Sequence, residues 1–230
     1  MSFDLACPKC GARSGPSVGI CPYCKAVMSS AAAGVKEIAP GFAAIKKYFD
    51  EGAMEQALAL ATAAEAQAQE LSKNRDFQLL YARILIEIEA PSSKTRAVLN
   101  QILLKESGDI DALDYLAIVE ARSKFSHAEN DPGEMQLKEL LKRRADLDLA
   151  HFILGAHLFW NQKETVHSVR YLETAVRLRP NFLRAWGCLG AIYAKMNNEP
   201  LASKAFQNCL RLEKEPKMRK YFQDLLSKAS

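Results

Sequence analysis

The sequence predicts an all-α chain: an array of antiparallel helix pairs over residues 42–230, preceded by a small four-cysteine module over residues 1–25 and a linker over residues 26–41. Three observations lead there. From residue 42 onward apolar residues recur at helical spacing, with no strand-like alternation of useful length. Near the C-terminal end the pattern repeats, with Leu154-Gly155 answered by Leu189-Gly190 at a separation of 35 residues. Four of the six cysteines fall in the first 24 residues, as two Cys-x-x-Cys units.

Length and composition admit this architecture. A chain of 230 residues that is 49% hydrophobic can bury a sizeable core and carry a small module beside it. The formal charge of +4 is ordinary, and four thiolates holding one divalent metal would add about −2 to it. Bulk charge therefore argues for no particular partner. The start, "MSFDLACPKC", has neither the basic nor the apolar region of a secretory signal. No apolar run approaches the roughly 20 residues that a membrane helix requires. A cytoplasmic chain without a membrane partner is expected.

The helix pairs read in order as follows. "AIKKYFDEGAMEQALALATAAEAQ" gives the first, turning at Gly52-Ala53. "DFQLLYARILIEIE" with "KTRAVLNQILLKESGD" gives the second, and "IDALDYLAIVEARSKF" with "GEMQLKELLKRRADLD" the third. "HFILGAHLFWNQ" with "VHSVRYLETAVRLRP" is the fourth, closed by Pro180 just past a helix end, as helix-stop chemistry favours. "FLRAWGCLGAIYAKM" and "LASKAFQNCLRLEK", separated by "NNEP", are the fifth, and "PKMRKYFQDLLSKA" reads as a capping helix.

The fifth pair carries Trp186, Leu189, Gly190 and Tyr193 on one helix and Ala202, Phe206 and Cys209 on the other. In these residues, and in its period of about 34, it resembles a tetratricopeptide repeat. Cys209 stands where that family usually has alanine. The fourth pair keeps Leu154, Gly155, Ala175 and Pro180 but carries one extra residue; upstream, Tyr48, Gly52, Ala57 and Ala64 fit the first pair. The resemblance implies a superhelix whose concave side, lined by the first helix of each pair, takes a protein or peptide. On the better-matched units His151, Phe152, Phe159, Arg184 and Lys195 lie outside the packing positions and are the candidate partner-binding residues. Phe152, Phe159 and Trp160 together offer more aromatic surface than one helix needs, although packing onto neighbouring units would absorb two of them. The asparagine and lysine pattern that clamps a terminal carboxylate in chaperone-binding relatives is missing, with Gly187 and Ala191 in its place.

Cys7, Cys10, Cys21 and Cys24 are candidate metal ligands. Each Cys-x-x-Cys turn can present two sulfurs to one ion, and the ten residues between the pairs suffice for a short hairpin to bring the turns together. Four thiolates fill a tetrahedral shell, so one structural Zn²⁺ is expected and chemistry at the metal is not. A rubredoxin-like iron site has the same shell, but this spacer is short for it. With Pro8, Pro22 and Gly11 around the cysteines, the segment resembles the short zinc ribbons of bacterial multidomain proteins; Lys25 replaces the glycine that often follows the last cysteine. Cys188 and Cys209 sit within helical patterns and read as small apolar packing residues.

The expectation is thus a non-catalytic adaptor that holds a protein in the groove, with the ribbon as a second contact. The alternative is a nucleic-acid-binding regulator, in which the ribbon's Lys9, Arg13 and Lys25 and the basic runs at 138–144 and 217–220 touch phosphates while the repeats recruit protein. No Ser/His/Asp set, phosphate-cradling glycine loop or paired catalytic carboxylates stands out, so no enzyme is expected.

Overall fold

The computed structural model describes residues 5–6, 13–14, 41–126, 131–162 and 165–228. Helices α1 (Phe42–Asp50) and α2 (Met54–Gln67) form the first antiparallel pair, followed by a short helical turn α3 (Gln69–Ser72) that the sequence pattern does not announce. Helices α4 (Arg75–Glu87) and α5 (Ser92–Lys105), then α6 (Ile110–Ser123) and α7 (Pro132–Arg143), make the second and third pairs. The fourth consists of α8 (Asp148–His157), continued by a π-helical turn over Leu158–Gln162, and α9 (Thr165–Leu178). Helices α10 (Leu183–Lys195) and α11 (Glu199–Leu212) are the fifth, and α12 (Pro216–Lys228) packs on α11. The repeat domain is all-helical and tetratricopeptide-like in layout. Two short strands, β1 (Leu5–Ala6) and β2 (Arg13–Ser14), pair antiparallel on either side of the first Cys-x-x-Cys in the sequence.

Local chemistry explains where the helices begin. Asn74, Asp109, Asp131 and Asn198 each accept a backbone N–H three residues on, at 3.0, 2.9, 2.9 and 3.3 Å, and so cap α4, α6, α7 and α11. Proline follows at the first turn of α7 and α11, where its missing N–H is no loss. Three of the first helices end alike. Gly52, Glu89 and Asn197 turn left-handed, at φ 76°, 58° and 55°. The next N–H then reaches back to the carbonyl of Tyr48, Leu85 or Tyr193 at 2.8–2.9 Å. This is the closing geometry that favours glycine and tolerates asparagine; a glutamate there is unusual.

The fourth pair ends differently. One π-helical turn takes up one residue more than an α-helical turn, which accounts for the extra residue of this unit. It also sets the facing of the aromatics: Phe159 is buried while Trp160 is 61% exposed.

The helices of a pair approach closely where glycine removes the side chain. Gly155 faces Leu172 and accepts a hydrogen bond at its carbonyl from Ser168 Oγ at 2.7 Å; Gly190 faces the ring of Phe206. Between them lie two apolar clusters, one over α1–α6 and one over α6–α12 that also takes in Ile86 of α4, with Tyr115 packed against both. Cys209 is fully buried, and burial pushes its thiol up to about 12, so it remains a neutral packing group at pH 7.

The buried caps carry a pH dependence. The Arg75 guanidinium, 2.5 Å from Asp109, holds that carboxyl below the usual carboxylate range. Burial pushes Asp131 the other way, but N–H donors from Ser126 and Glu134 and the neighbouring His157 outweigh it and leave it low as well. A carboxyl depressed in the folded state stabilises above its unfolded value and loses that contribution as pH falls through the folded one. Denaturant midpoints are therefore expected to hold steady down to about pH 5 and to fall below about pH 4. Asp109→Asn, which keeps a capping acceptor but no charge, should shrink the acid loss; an unchanged profile would contradict this assignment.

Candidate functional site

All five first helices bring side chains to one central cluster on the inner face of the array. Helix α4 supplies Arg83 and Glu87 one turn apart, α8 supplies Asp148, and the turn before α10 supplies Arg179 and Phe182. Glu87 is 1% exposed and accepts a two-pronged grip from Arg179, Nη1 to Oε1 at 2.5 Å and Nη2 to Oε2 at 2.8 Å. Arg83 adds Nε to Oε1 at 3.3 Å and turns Nη2 to Asp148, which Arg179 Nε approaches at 3.4 Å. Two cations and two anions thus neutralise one another away from water, the arrangement such charges need to be buried.

Aromatic rings wall this cluster. The Arg179 guanidinium lies 3.6 Å from the Phe182 ring centre and 5.0 Å from that of Phe49 on α1; Arg83 lies 5.2 Å from Phe49. Tyr115 of α6 is half-buried beside Arg83, and desolvation raises the pKa of its hydroxyl. Arg184 of α10 donates to the carbonyl of Glu87 and, at 2.5 Å, to Glu89 Oε1. Asn181 donates to the carbonyl of Asp50, across 131 residues of sequence. The first and last pairs therefore touch, and the concave face that the sequence assigns to a partner is filled in its deep part by the chain's own charges and rings.

The candidate partner-binding residues divide accordingly. Phe152 is 4% exposed, tilted against Phe182 at 4.7 Å between ring centres, with Arg184 over it at 5.2 Å. His151 is buried; its Nε2 is 3.0 Å from the carbonyl of Ala145, and burial lowers its pKa and keeps it neutral. Phe159 is buried as well, with Trp160 edge-on at 4.6 Å and the Lys195 ammonium 5.1 Å from its ring centre. Only Arg184 and Lys195 of the five are exposed. The structure brings Phe152 to Arg184 and Phe159 to Lys195, and adds Trp160, which interacts with Cys188 on α10.

The central charges were missed in the sequence because they are single residues on helices, far apart along the chain. One signal was there: Arg83 and Glu87 interrupt the apolar run of "LLYARILIEIE" at a one-turn spacing, on the face that should be dry.

Other candidate features resolve plainly. In the basic run 138–144 every cation is paired with a carboxylate: Lys138 with Glu134, Lys142 with Glu139 at 2.8 Å, and Arg143 and Arg144 with the two oxygens of Asp114 at 2.8 and 2.7 Å. That run is not a free phosphate track. His157 and Asp131 form a buried pair at 3.0 Å, but the other ring nitrogen faces Asn161 at 2.9 Å and Phe125 stacks on the ring at 3.7 Å. The pair joins α8 to the cap of α7. Cys7, Cys10, Cys21 and Cys24 lie outside the described residues. Among the described residues no group of three His, Cys, Asp or Glu is placed to hold a metal, and no helix is long and apolar enough to cross a membrane.

No family model matches the chain. Over 122 residues it is 29% identical to the tetratricopeptide repeat domain-containing protein PYG7, chloroplastic, of Arabidopsis thaliana. That match spans 52% of this chain and 40% of the relative, less than half the relative's length. Among solved structures it is similar to MamA, at 17% identity and a TM-score of 0.38 over 77% of this chain and 91% of that one. It is also similar to YrrB, described as a tetratricopeptide protein with an unusual peptide-binding site, at 14% identity and a TM-score of 0.41 over 79% and 89%. Likenesses of this size leave ligand and partner to be argued from the chain's own residues.

Proposed function

We propose that the chain is a non-catalytic adaptor that binds a protein along the rim of the inner face, with the four-cysteine segment as a zinc-held second contact. One observation supports the first half. Trp160 is 61% exposed at the π-helical turn, backed by the buried ring of Phe159 and accompanied by the exposed cations Arg184 and Lys195. A rigid, exposed tryptophan with flanking arginine is the residue set that dominates binding energy at protein interfaces. Because the centre is filled, the partner engages the rim, and Phe152 acts from below as the ring over which Arg184 lies.

The test is affinity capture with the full chain against Trp160→Ala. A partner retained specifically by the first should bind the second about 2 kcal/mol more weakly, roughly 30-fold in Kd. Equal retention by both sinks the rim assignment. Comparing the full chain with residues 42–230 shows whether the N-terminal segment contributes by effective concentration.

For that segment, the donor set is four thiols in two Cys-x-x-Cys units, the chemistry that suits tetrahedral Zn²⁺. Antiparallel pairing of β1 with β2, on either side of Cys7 and Cys10 in the sequence, is consistent with it. The zinc would serve folding only. Elemental analysis of the purified chain should return about one zinc per molecule. A Cys7→Ser, Cys10→Ser variant should lose it; iron, or no metal under reducing conditions, would overturn the assignment.

A further inference from the structure

Away from the central cluster, a cavity of about 220 Å³ opens where the end of α4, the start of α5 and the end of α6 meet. Ser92, Thr95, Arg122 and Ser123 line it, with Ile86 and Val119 among its apolar walls. Three features of its lining are independent of one another, and all are short of a negative charge.

The first is Arg122. Its Nη1 donates to the carbonyl of Ile86 at 2.9 Å, which fixes the guanidinium, yet no carboxylate of the described residues lies within ion-pair distance of it. Glu89, the acid whose charge it feels, is committed to Arg184 at 2.5 Å. Burial works against the Arg122 charge, as expected of a cation half out of water without a counter-ion.

The second is Thr95, 1% exposed, whose hydroxyl makes no hydrogen bond within the described residues although it lines the cavity. A polar group so enclosed ordinarily finds a partner.

The third is the N-terminus of α5, a helix of 14 residues. Pro91 at its cap has no side-chain acceptor, its first turn holds no acid, and the first intrahelical bonds start at Lys94 and Thr95, both to the carbonyl of Pro91. The N–H groups of Ser92 and Ser93 are thus left as donors at the positive end of the helix dipole. Ser123 contributes less, since its hydroxyl already donates to the carbonyl of Glu120 at 2.7 Å.

We infer that this cavity binds a phosphoryl oxyanion, held by the Arg122 guanidinium, the Thr95 hydroxyl and the N-terminal amides of α5. A carboxylate offers two oxygens in one plane, whereas the donors here come from a side chain on α6, a side chain on α5 and the α5 backbone. Three acceptor oxygens in a tetrahedral array and close to two negative charges answer that set. The anion is inorganic phosphate or a phosphorylated side chain on a protein; the site chemistry is the same for both.

The test uses the full chain and two-dimensional ¹H–¹⁵N spectra during titration with inorganic phosphate, against sodium chloride at matched ionic strength. Saturable shifts are expected at the amides of Ser92–Thr95 and at Arg122 Nε, and not with chloride. Thr95→Val, close to isosteric, should weaken binding severalfold, and Arg122→Gln should abolish it while the remaining spectrum shows the fold intact. Absent or unsaturable shifts, or shifts that survive in Arg122→Gln, would overturn the site. A phosphoserine peptide that binds more tightly than both phosphate and its unphosphorylated form identifies a protein-borne group; equal binding identifies the free anion. The readout needs no partner, so its failure would leave the adaptor reading untouched.

Discussion

Glu87→Ala is expected to destabilise the fold by about 3–5 kcal/mol, the cost of breaking a buried ion network from one side. The carboxylate is 1% exposed, and its removal leaves Arg83 and Arg179, 19% and 14% exposed at the side chain, with Asp148 as their one nearby acid. A structural change should accompany the loss. Arg179 is held over Phe49 and Phe182 while it grips Glu87, so releasing it frees the contact between the first and last helix pairs. Urea denaturation measures the first effect, and small-angle scattering measures the second as a larger radius of gyration. A combined Glu87→Met, Arg179→Met chain should recover much of the stability, because paired charges replaced together by apolar groups leave nothing unpaired. An unchanged midpoint and radius in Glu87→Ala would mean that the network holds nothing together.

Gly133→Ala is expected to cost about 3 kcal/mol, the upper end of the range for overpacking. A β-carbon there would lie 2.6 Å from Phe125 Cδ1 and closer still to the carbonyl oxygen of Ala121. The second obstacle is backbone in α6, so the first turn of α7 must move, and with it the cap Asp131 and the buried His157. In a chain of this size the loss should lower the thermal midpoint by roughly 6–12 °C. Gly190→Ala is the comparison. The three atoms nearest its β-carbon all belong to the Phe206 ring, 2.7 Å away at Cδ1 and closer still at Cε1, and a ring can shift where a carbonyl in a helix cannot. Similar midpoints for the two variants would contradict this ranking.

The parts of the fold that were legible in the sequence are those carried by neighbours in the chain. Trp186, Leu189, Gly190 and Tyr193 share a helix, and their packing partners Ala202, Phe206 and Cys209 follow within one turn and one helix. The same holds for Gly155 with Leu172. The unit with one residue too many was also visible, but not its resolution as a π-helical turn, since spacing alone does not say which hydrogen bonds widen. That turn decides that Phe159 packs and Trp160 is displayed. The central cluster was hidden for another reason. Phe49, Glu87, Asp148 and Arg179 meet only because the array curves back on itself, and curvature is a sum of small rotations between pairs that no single repeat encodes. A groove read from one unit therefore assigned Phe152 to a partner when its partner is Phe182.

That return of the chain onto itself changes how the array should gain and lose structure. Repeat arrays whose units touch only their neighbours unravel from the ends, and their stability is close to a sum over units. Here the carbonyl of Asp50 and the ring of Phe49 are held by residues 179 and 181, so neither terminal pair can fray without releasing the other. Unfolding becomes one concerted event. Folding is slowed in turn, because a loop of about 130 residues must close before those contacts form. Removal of residues 179–230 would accordingly be felt at α1, at the opposite end of the sequence.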